Sequence, residues 1–468
     1  MVNDQLIVPP ANRPPLSQPG RYLILVVAFL GWFCCGFHMQ ITQLTGQPAA
    51  IDLLSQQGDL DRGQFDAWNK LEAERNKTTK SNSELAIAEK TLLAQWNAQV
   101  GRWFTWFQCA FLFGAATGGL CFGWLGDRLG RSVAMSASIL TYSVLAAAAS
   151  FAQSPIQLWI LWFLACTGVG GMWPNGVALL SEAWSGMSRP VVAGVIGTAA
   201  NMGILLFATL ARQVEITPND WRWAYLVGAA PGVLGLFALF TVPESPRWLA
   251  ARATPTEVPV AGVATVEVFR APLLGVTLVA IVLATVPMIG GWGTANWMNP
   301  WADVAGAALD PPDYRLKARV GQARALTGIV GSLLGGWFAS MLGRRPTYFL
   351  VSLFSLAIAQ YMFWFLQPTD TWFLTWVSAL GFISGIYFGW LPLCLPELFP
   401  TRVRSTGAGV GFNFGRIVTA VTLFVAGALM EFFARDYALI GRITSLLFIL
   451  GMIFIWFVPD TNAKQLED

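Results

Sequence analysis

The sequence predicts an all-α polytopic membrane protein with twelve transmembrane helices in two pseudo-symmetric six-helix bundles. Three observations predict it. Of 468 residues, 55% are hydrophobic and 12% charged, about half the charge of a soluble domain. Twelve segments approach or exceed the roughly 20 apolar residues that cross a bilayer core. Features of the first half also return 213–216 residues later.

The segments lie near 22–44, 103–126, 132–152, 156–181, 190–211, 223–242, 271–298, 320–342, 346–367, 371–396, 405–430 and 438–458. Residues 132–181 hold no charged residue, and AQSP at 152–155 supplies the break between two helices. Short loops after spans two, eight and ten carry Arg128, Arg131, Arg344, Arg345, Arg402 and Arg404. The positive-inside rule makes those loops cytoplasmic, and an even span count then places both termini inside the cell membrane. The expected units are a tail 1–21, a bundle 22–242, a cytoplasmic linker 243–270, a bundle 271–459 and a tail 460–468. The polar, proline-rich N-terminus lacks a signal-peptide core, so the first span should be retained.

Residues 48–101 are expected outside as a cap of two short amphipathic helices, or as a solvated spacer. Phe65, Trp68 and Leu71 fall on one helical face, and Leu85, Ala88, Leu92 and Trp96 on another.

The repetition is specific. GWLGDRLGR (123–131) returns as GWFASMLGR (336–344), Glu182 and Arg189 as Glu397 and Arg404, and VPESP (242–246) as VPDTN (458–462). Repeated six-helix halves are the signature of a carrier that rocks one bundle against the other. A net charge of +3 spread over loops implies no nucleic-acid partner. Six cysteines in apolar runs form neither a CxxC pair nor a zinc spacing. No nucleophile–base pair or phosphate loop appears. No enzyme, cofactor or metal is expected, and the working unit is read as a monomer in the bilayer.

Asp127 closes span two, four residues after Gly123, which is read as a close-approach point for a neighbouring helix. Its carboxylate can meet a helix N-terminus or an arginine across the seam; Ser340 stands there in the second copy. Arg128, Arg131, Arg344 and Arg345, with the pairs Glu182/Arg189, Glu397/Arg404 and Glu244/Arg247, complete the expected gating set. Gly114/Gly118, Gly331/Gly335 and Gly411/Gly415 form GxxxG seams for sliding or static packing.

Two formal charges lie deep in the spans. Arg416 is twelve residues from Arg404, and Arg324 twelve from Gly336, so each sits about 18 Å from the inner end, near the midplane of a core about 30 Å thick. No acid is available in the spans to pair with them. Each should face a water-filled cavity, where a guanidinium can hold a carboxylate bidentately. Trp173, Asn175, Trp292, Asn296, Trp390 and Asn413 are the candidate cavity walls and anchors, and His38, the sole histidine, lies in the outer half of span one. Packing or interfacial anchoring is the structural alternative for each.

GWLGDRLGR resembles the loop motif between spans two and three of the major facilitator superfamily, and the resemblance covers almost the whole chain. PESPRW (243–248) and PELFPTRVRSTG (396–407) resemble the sugar-porter and organic-ion branches. GVGGMWPNGVALLSEAW (168–184) and FGWLPLCLPELFPTRVRSTGAGVGFNFGRI (388–417) are most similar to bacterial sialic-acid and aromatic-acid carriers. The resemblance implies proton symport. The acids of that group, in a GWxxDGxD-like stretch and a GGEW-like turn, are here Cys35, His38 and Met172. His38 is the remaining candidate proton carrier, with exchange or uniport as alternatives. The expected substrate is a small organic anion, a monocarboxylate or sugar acid. The alternatives are a neutral-sugar or polyol carrier, weakened because GGWGTANW (290–297) lacks paired glutamines, and a transporter-fold sensor using residues 48–101.

A cysteine placed at Ser81 should react with a membrane-impermeant maleimide from outside intact cells. Reaction only after permeabilisation would overturn the expected topology.

Overall fold

In lipid, every backbone N–H and C=O must bond within its own segment, so apolar runs of this length become helices. The computed structural model describes residues 16–77, 87–183, 189–246, 248–249, 267–399, 404–428 and 436–459. Its first half comprises α1 (Gln18–Gln57), α2 (Arg62–Lys77), α3 (Ile87–Leu129), α4 (Arg131–Ala149), α5 (Pro155–Ala183), α6 (Arg189–Gln213), α7 (Arg222–Ala229) and α8 (Gly232–Thr241). The second half comprises α9 (Leu274–Val286), α10 (Thr294–Ala307), α11 (Leu316–Met341), α12 (Arg344–Phe365), α13 (Phe373–Cys394), α14 (Arg404–Ala428), α15 (Tyr437–Ser445) and α16 (Leu447–Phe454).

Among the described residues, ten helical stretches are long and apolar enough to cross a membrane. The seventh and eighth spans complete twelve. The seventh is broken: α9 runs through a π-helical turn at Pro287–Gly293 into α10, where Pro287 removes a backbone donor. The eighth, α11, is long enough at 26 residues, but Lys317, Arg319, Arg324 and its glycines lower its hydropathy.

Helices α1 and α3 hold 40 and 43 residues. At 1.5 Å per residue each is at least about 60 Å long, twice the hydrocarbon core, so each projects well beyond it. The second cap helix expected from the sequence is therefore the first part of α3. Helix α2 packs on it: Trp68 stacks on Trp96 at 5.5 Å, and the Asn97 amide donates to Asn69 Oδ1 at 3.1 Å. Leu93 and Trp96 face inward there, while Leu92 is exposed. Leu85 lies outside the described residues.

Glycine seams hold each half together from within. A Cβ on Gly118 would stand 1.8 Å from the Thr167 carbonyl oxygen of α5, and one on Gly331 2.0 Å from that of Phe382 on α13. These two contacts are the same contact in each copy. Gly411 and Gly415 approach Ala280 and Ala284 of α9. The seams thus join helices of one half, not the two halves. Gly123 differs from its expectation: a Cβ there would meet nothing within 4 Å, so no described residue packs closely on it.

The halves meet along α3 with α14 and along α6 with α11. At the end bearing α2, polar side chains close the seam. Asn299 donates to Gln43 at 2.8 Å, Gln47 donates to the Tyr437 hydroxyl, Arg315 pairs with Glu215 at 3.1 Å, and Lys317 donates to the Ile216 carbonyl at 2.9 Å.

Gly118→Ala should lower stability by about 1–3 kcal/mol through overpacking against a backbone oxygen. Gly123→Ala should be neutral or slightly stabilising. Thermal unfolding in detergent checks both, and equal shifts would contradict the seam.

Candidate functional site

A cavity of about 510 Å3 lies between the halves. It reaches Arg131 and Glu182 at the end opposite α2. Its walls come from α1, α3, α5 and α6 on one side and α11, α13 and α14 on the other.

On α14, Phe412, Asn413 and Arg416 fall three and four residues apart and share one face. Arg416 is 5% exposed. Its Nη1 lies 3.4 Å from both the Ala115 carbonyl and Asn413 Oδ1, and its guanidinium sits 4.7 Å from the Phe412 ring centre. Phe412 stacks on Trp173 at 6.3 Å, and Trp173 meets Trp32 at 4.7 Å. An aromatic ladder thus runs from the cation across to α1. Arg324 of α11 lines the same cavity and is 7% exposed. Its Nε and Nη2 have no hydrogen-bond partner in the structure. Among the described residues, no carboxylate lies within ion-pair distance of either guanidinium.

Of the residues expected at the site, the structure brings Arg324, Arg416, Asn413 and Trp173 together. Three others lie elsewhere. His38 is enclosed within the first half: Nδ1 lies 3.1 Å from the Cys34 carbonyl, and the ring stacks on Trp162 at 5.6 Å. Asn175 donates to the Phe122 and Gly171 carbonyls, both at 2.9 Å, away from the cavity. Trp390 is buried against Tyr348 and donates to the Arg344 carbonyl at 2.9 Å; Phe388 and Leu391 of its helix line the cavity instead. The reason is rotational, because apolar composition does not say which face of a span points inward. The side chains of Trp292 and Asn296 lie outside what the structure describes.

Sequence reasoning missed Trp32, Phe111, Asn201 and Phe412. Phe412 had a signal, standing one turn before Arg416. Asn201 had one too, as an amide inside an otherwise apolar span. Trp32 and Phe111 had none.

The expected gating residues divide between loop caps and the cavity mouth. Glu244 accepts from the backbone N–H groups of Arg131 at 2.9 Å and Ser132 at 3.1 Å, capping α4. Gly130, at φ +113°, begins that helix, and a Cβ there would meet the Glu244 carboxylate. Arg344 grips Glu397 through two bonds of 3.2 and 3.3 Å. Arg345 donates to the Val458 carbonyl, just as Ser132 donates to that of Val242. Glu182 accepts the Ser245 hydroxyl, and Arg128 lies over the Trp124 ring at 4.2 Å. The side chains of Asp127, Arg189 and Arg404, and the whole of Arg247, lie outside the described residues.

A profile of the Major Facilitator Superfamily matches residues 86–422. The chain belongs to that superfamily. It is a multi-pass membrane transporter rather than an enzyme. Among superfamily relatives, the cis,cis-muconate transport protein of Acinetobacter baylyi is 28% identical over 326 residues, covering 68% of this chain and 76% of that one. The niacin transporter NiaP of the same organism is 24% identical over 420 residues, covering 82% of this chain and 91% of that one. The partially occluded inward-open xylose transporter XylE of Escherichia coli superposes with a TM-score of 0.64 at 16% identity, over 96% of this chain and 100% of XylE. That likeness establishes the superfamily fold alone.

In a background without the exposed Cys121, cysteines replacing Val177 or Phe388 should react readily with a charged methanethiosulfonate. Cysteines replacing His38 or Asn175 should react much more slowly. Equal rates at His38 and Val177 would overturn this placement.

Proposed function

We propose that the chain carries a small organic anion, a monocarboxylate or sugar acid, across the cell membrane by alternating access. The supporting observation is two guanidiniums, Arg324 and Arg416, in one cavity with no carboxylate of the described residues within ion-pair distance of either. A guanidinium so placed is a receptor for a carboxylate, held by charge-assisted and planar hydrogen bonds. The ladder of Phe412, Trp173 and Trp32 supplies an apolar wall for the body of the ligand. Muconate and niacin, the cargoes named for two relatives, are both carboxylates with flat unsaturated bodies, which agrees with this reading. The positive-inside rule assigns the motif loops and both termini to the cytoplasm, and the cavity then opens inward. The capped loops keep the motif end of each half rigid while the polar contacts at the α2 end break and re-form. A neutral sugar leaves both charges uncompensated and fits the cavity poorly.

Nicotinate serves as probe, with nicotinamide as the uncharged control. Arg416→Ala removes charge-assisted hydrogen bonds contributing about 1.5–3 kcal/mol, so nicotinate binding should weaken ~10–150-fold. Arg416→Lys should fall between, and nicotinamide binding should change little. Unchanged nicotinate affinity in a normally folded Arg416→Ala protein would move the neutral-ligand reading ahead.

A further inference from the structure

We infer that the transporter is an obligatory anion exchanger: it crosses loaded with an anion and does not return empty. The inference rests on the anion reading above. Switching access takes the cavity through a state closed at both ends. The α2 end is already closed by Gln43 with Asn299 and Gln47 with Tyr437. Closing the other end removes the solvent access that leaves Arg416 5% and Arg324 7% exposed.

An arginine in that position has no escape. It cannot shed its proton as a lysine can, and an unpaired charge in a dry interior is strongly destabilising. Arg324 Nε and Nη2 have no partner at all, and Arg416 has two long contacts at 3.4 Å to neutral oxygens. Among the described residues, no carboxylate stands within ion-pair distance as a counter-charge. The acid lining the cavity among the described residues is Glu182. It lies nine residues along α5 from Trp173, about 13 Å away toward the mouth, and already accepts the Ser245 hydroxyl. Behind the cavity, Cys35 donates weakly to the Val169 carbonyl at 3.9 Å, and His38 is packed between Trp162 and Tyr142. A proton added to His38 would increase the positive charge rather than offset it. A bound carboxylate is therefore what permits closure, in both directions of travel. One anion entering then requires one leaving, and among the described residues a proton gradient has no acid beside the guanidiniums through which to act.

The test uses the full chain in liposomes, with labelled nicotinate and cis,cis-muconate as probes. Uptake is compared with the same unlabelled anion inside or with buffer alone, each with and without an inward proton gradient. Luminal anion should accelerate uptake at least about tenfold, the factor corresponding to a modest barrier difference, and the gradient should have no effect. Equal uptake into empty liposomes, or uptake driven by the gradient, would overturn the inference. Asn413→Asp provides a second reading. It keeps the shape of a side chain whose oxygen lies 3.4 Å from Arg416 Nη1 and adds a fixed counter-charge. It should weaken anion binding yet raise uptake into empty liposomes relative to exchange. An Asn413→Asp carrier that still demands luminal anion counts against the inference. Absence of binding and flux for both carboxylates would instead defeat the anion reading, and this inference with it.

Discussion

A guanidinium can neither lose its proton nor rest in lipid, and two of them lie deep between the helices of this protein. That constraint organises the rest. Arg324 and Arg416 need polar surroundings, and no carboxylate of the described chain provides them. The halves accordingly leave a cavity along their seam rather than closing into a single core. Its wall is polar where Asn413, Asn201, Glu182 and the arginines stand, and aliphatic or aromatic elsewhere. The Phe412 ring supports the Arg416 cation without neutralising it.

The two kinds of helix contact divide the mechanical labour. Within each half, glycines bring backbones so close that a single added carbon would clash with a carbonyl oxygen. Such packing tolerates little sliding. Across the closed end, the contacts are side-chain hydrogen bonds and ion pairs, each of net value about 0.5–1.5 kcal/mol. Bonds of that size can exchange for water when the end opens. The geometry therefore favours motion between rigid halves over deformation inside either.

The duplication persists most faithfully in the backbone. Gly130 and Gly343, both at positive φ, each start a helix after a motif loop. The residues two positions later, Ser132 and Arg345, donate to equivalent carbonyls, those of Val242 and Val458, although their side chains share nothing else. The binding chemistry is not duplicated: both deep arginines belong to the second half, and the first contributes mainly Trp32, Phe111, Trp173 and Asn201. One half supplies the deep charge, and the other much of the apolar wall.

The sequence by itself determined the fold class, the span count and the presence of two costly charges, because hydropathy, chain length and repetition are properties of a linear string. It also located the deep arginines, since depth follows from counting residues along a helix. It did not determine which face of each span turns inward. His38, Asn175 and Trp390 are as polar or aromatic as Asn413 and Trp173, yet they pack inside their own half, while Trp32, Phe111 and Phe412 line the cavity. Nor did it separate glycines that touch a neighbour, such as Gly118, from Gly123, which touches none. Helix rotation is set by how all the spans pack at once, so only the tertiary structure could decide it.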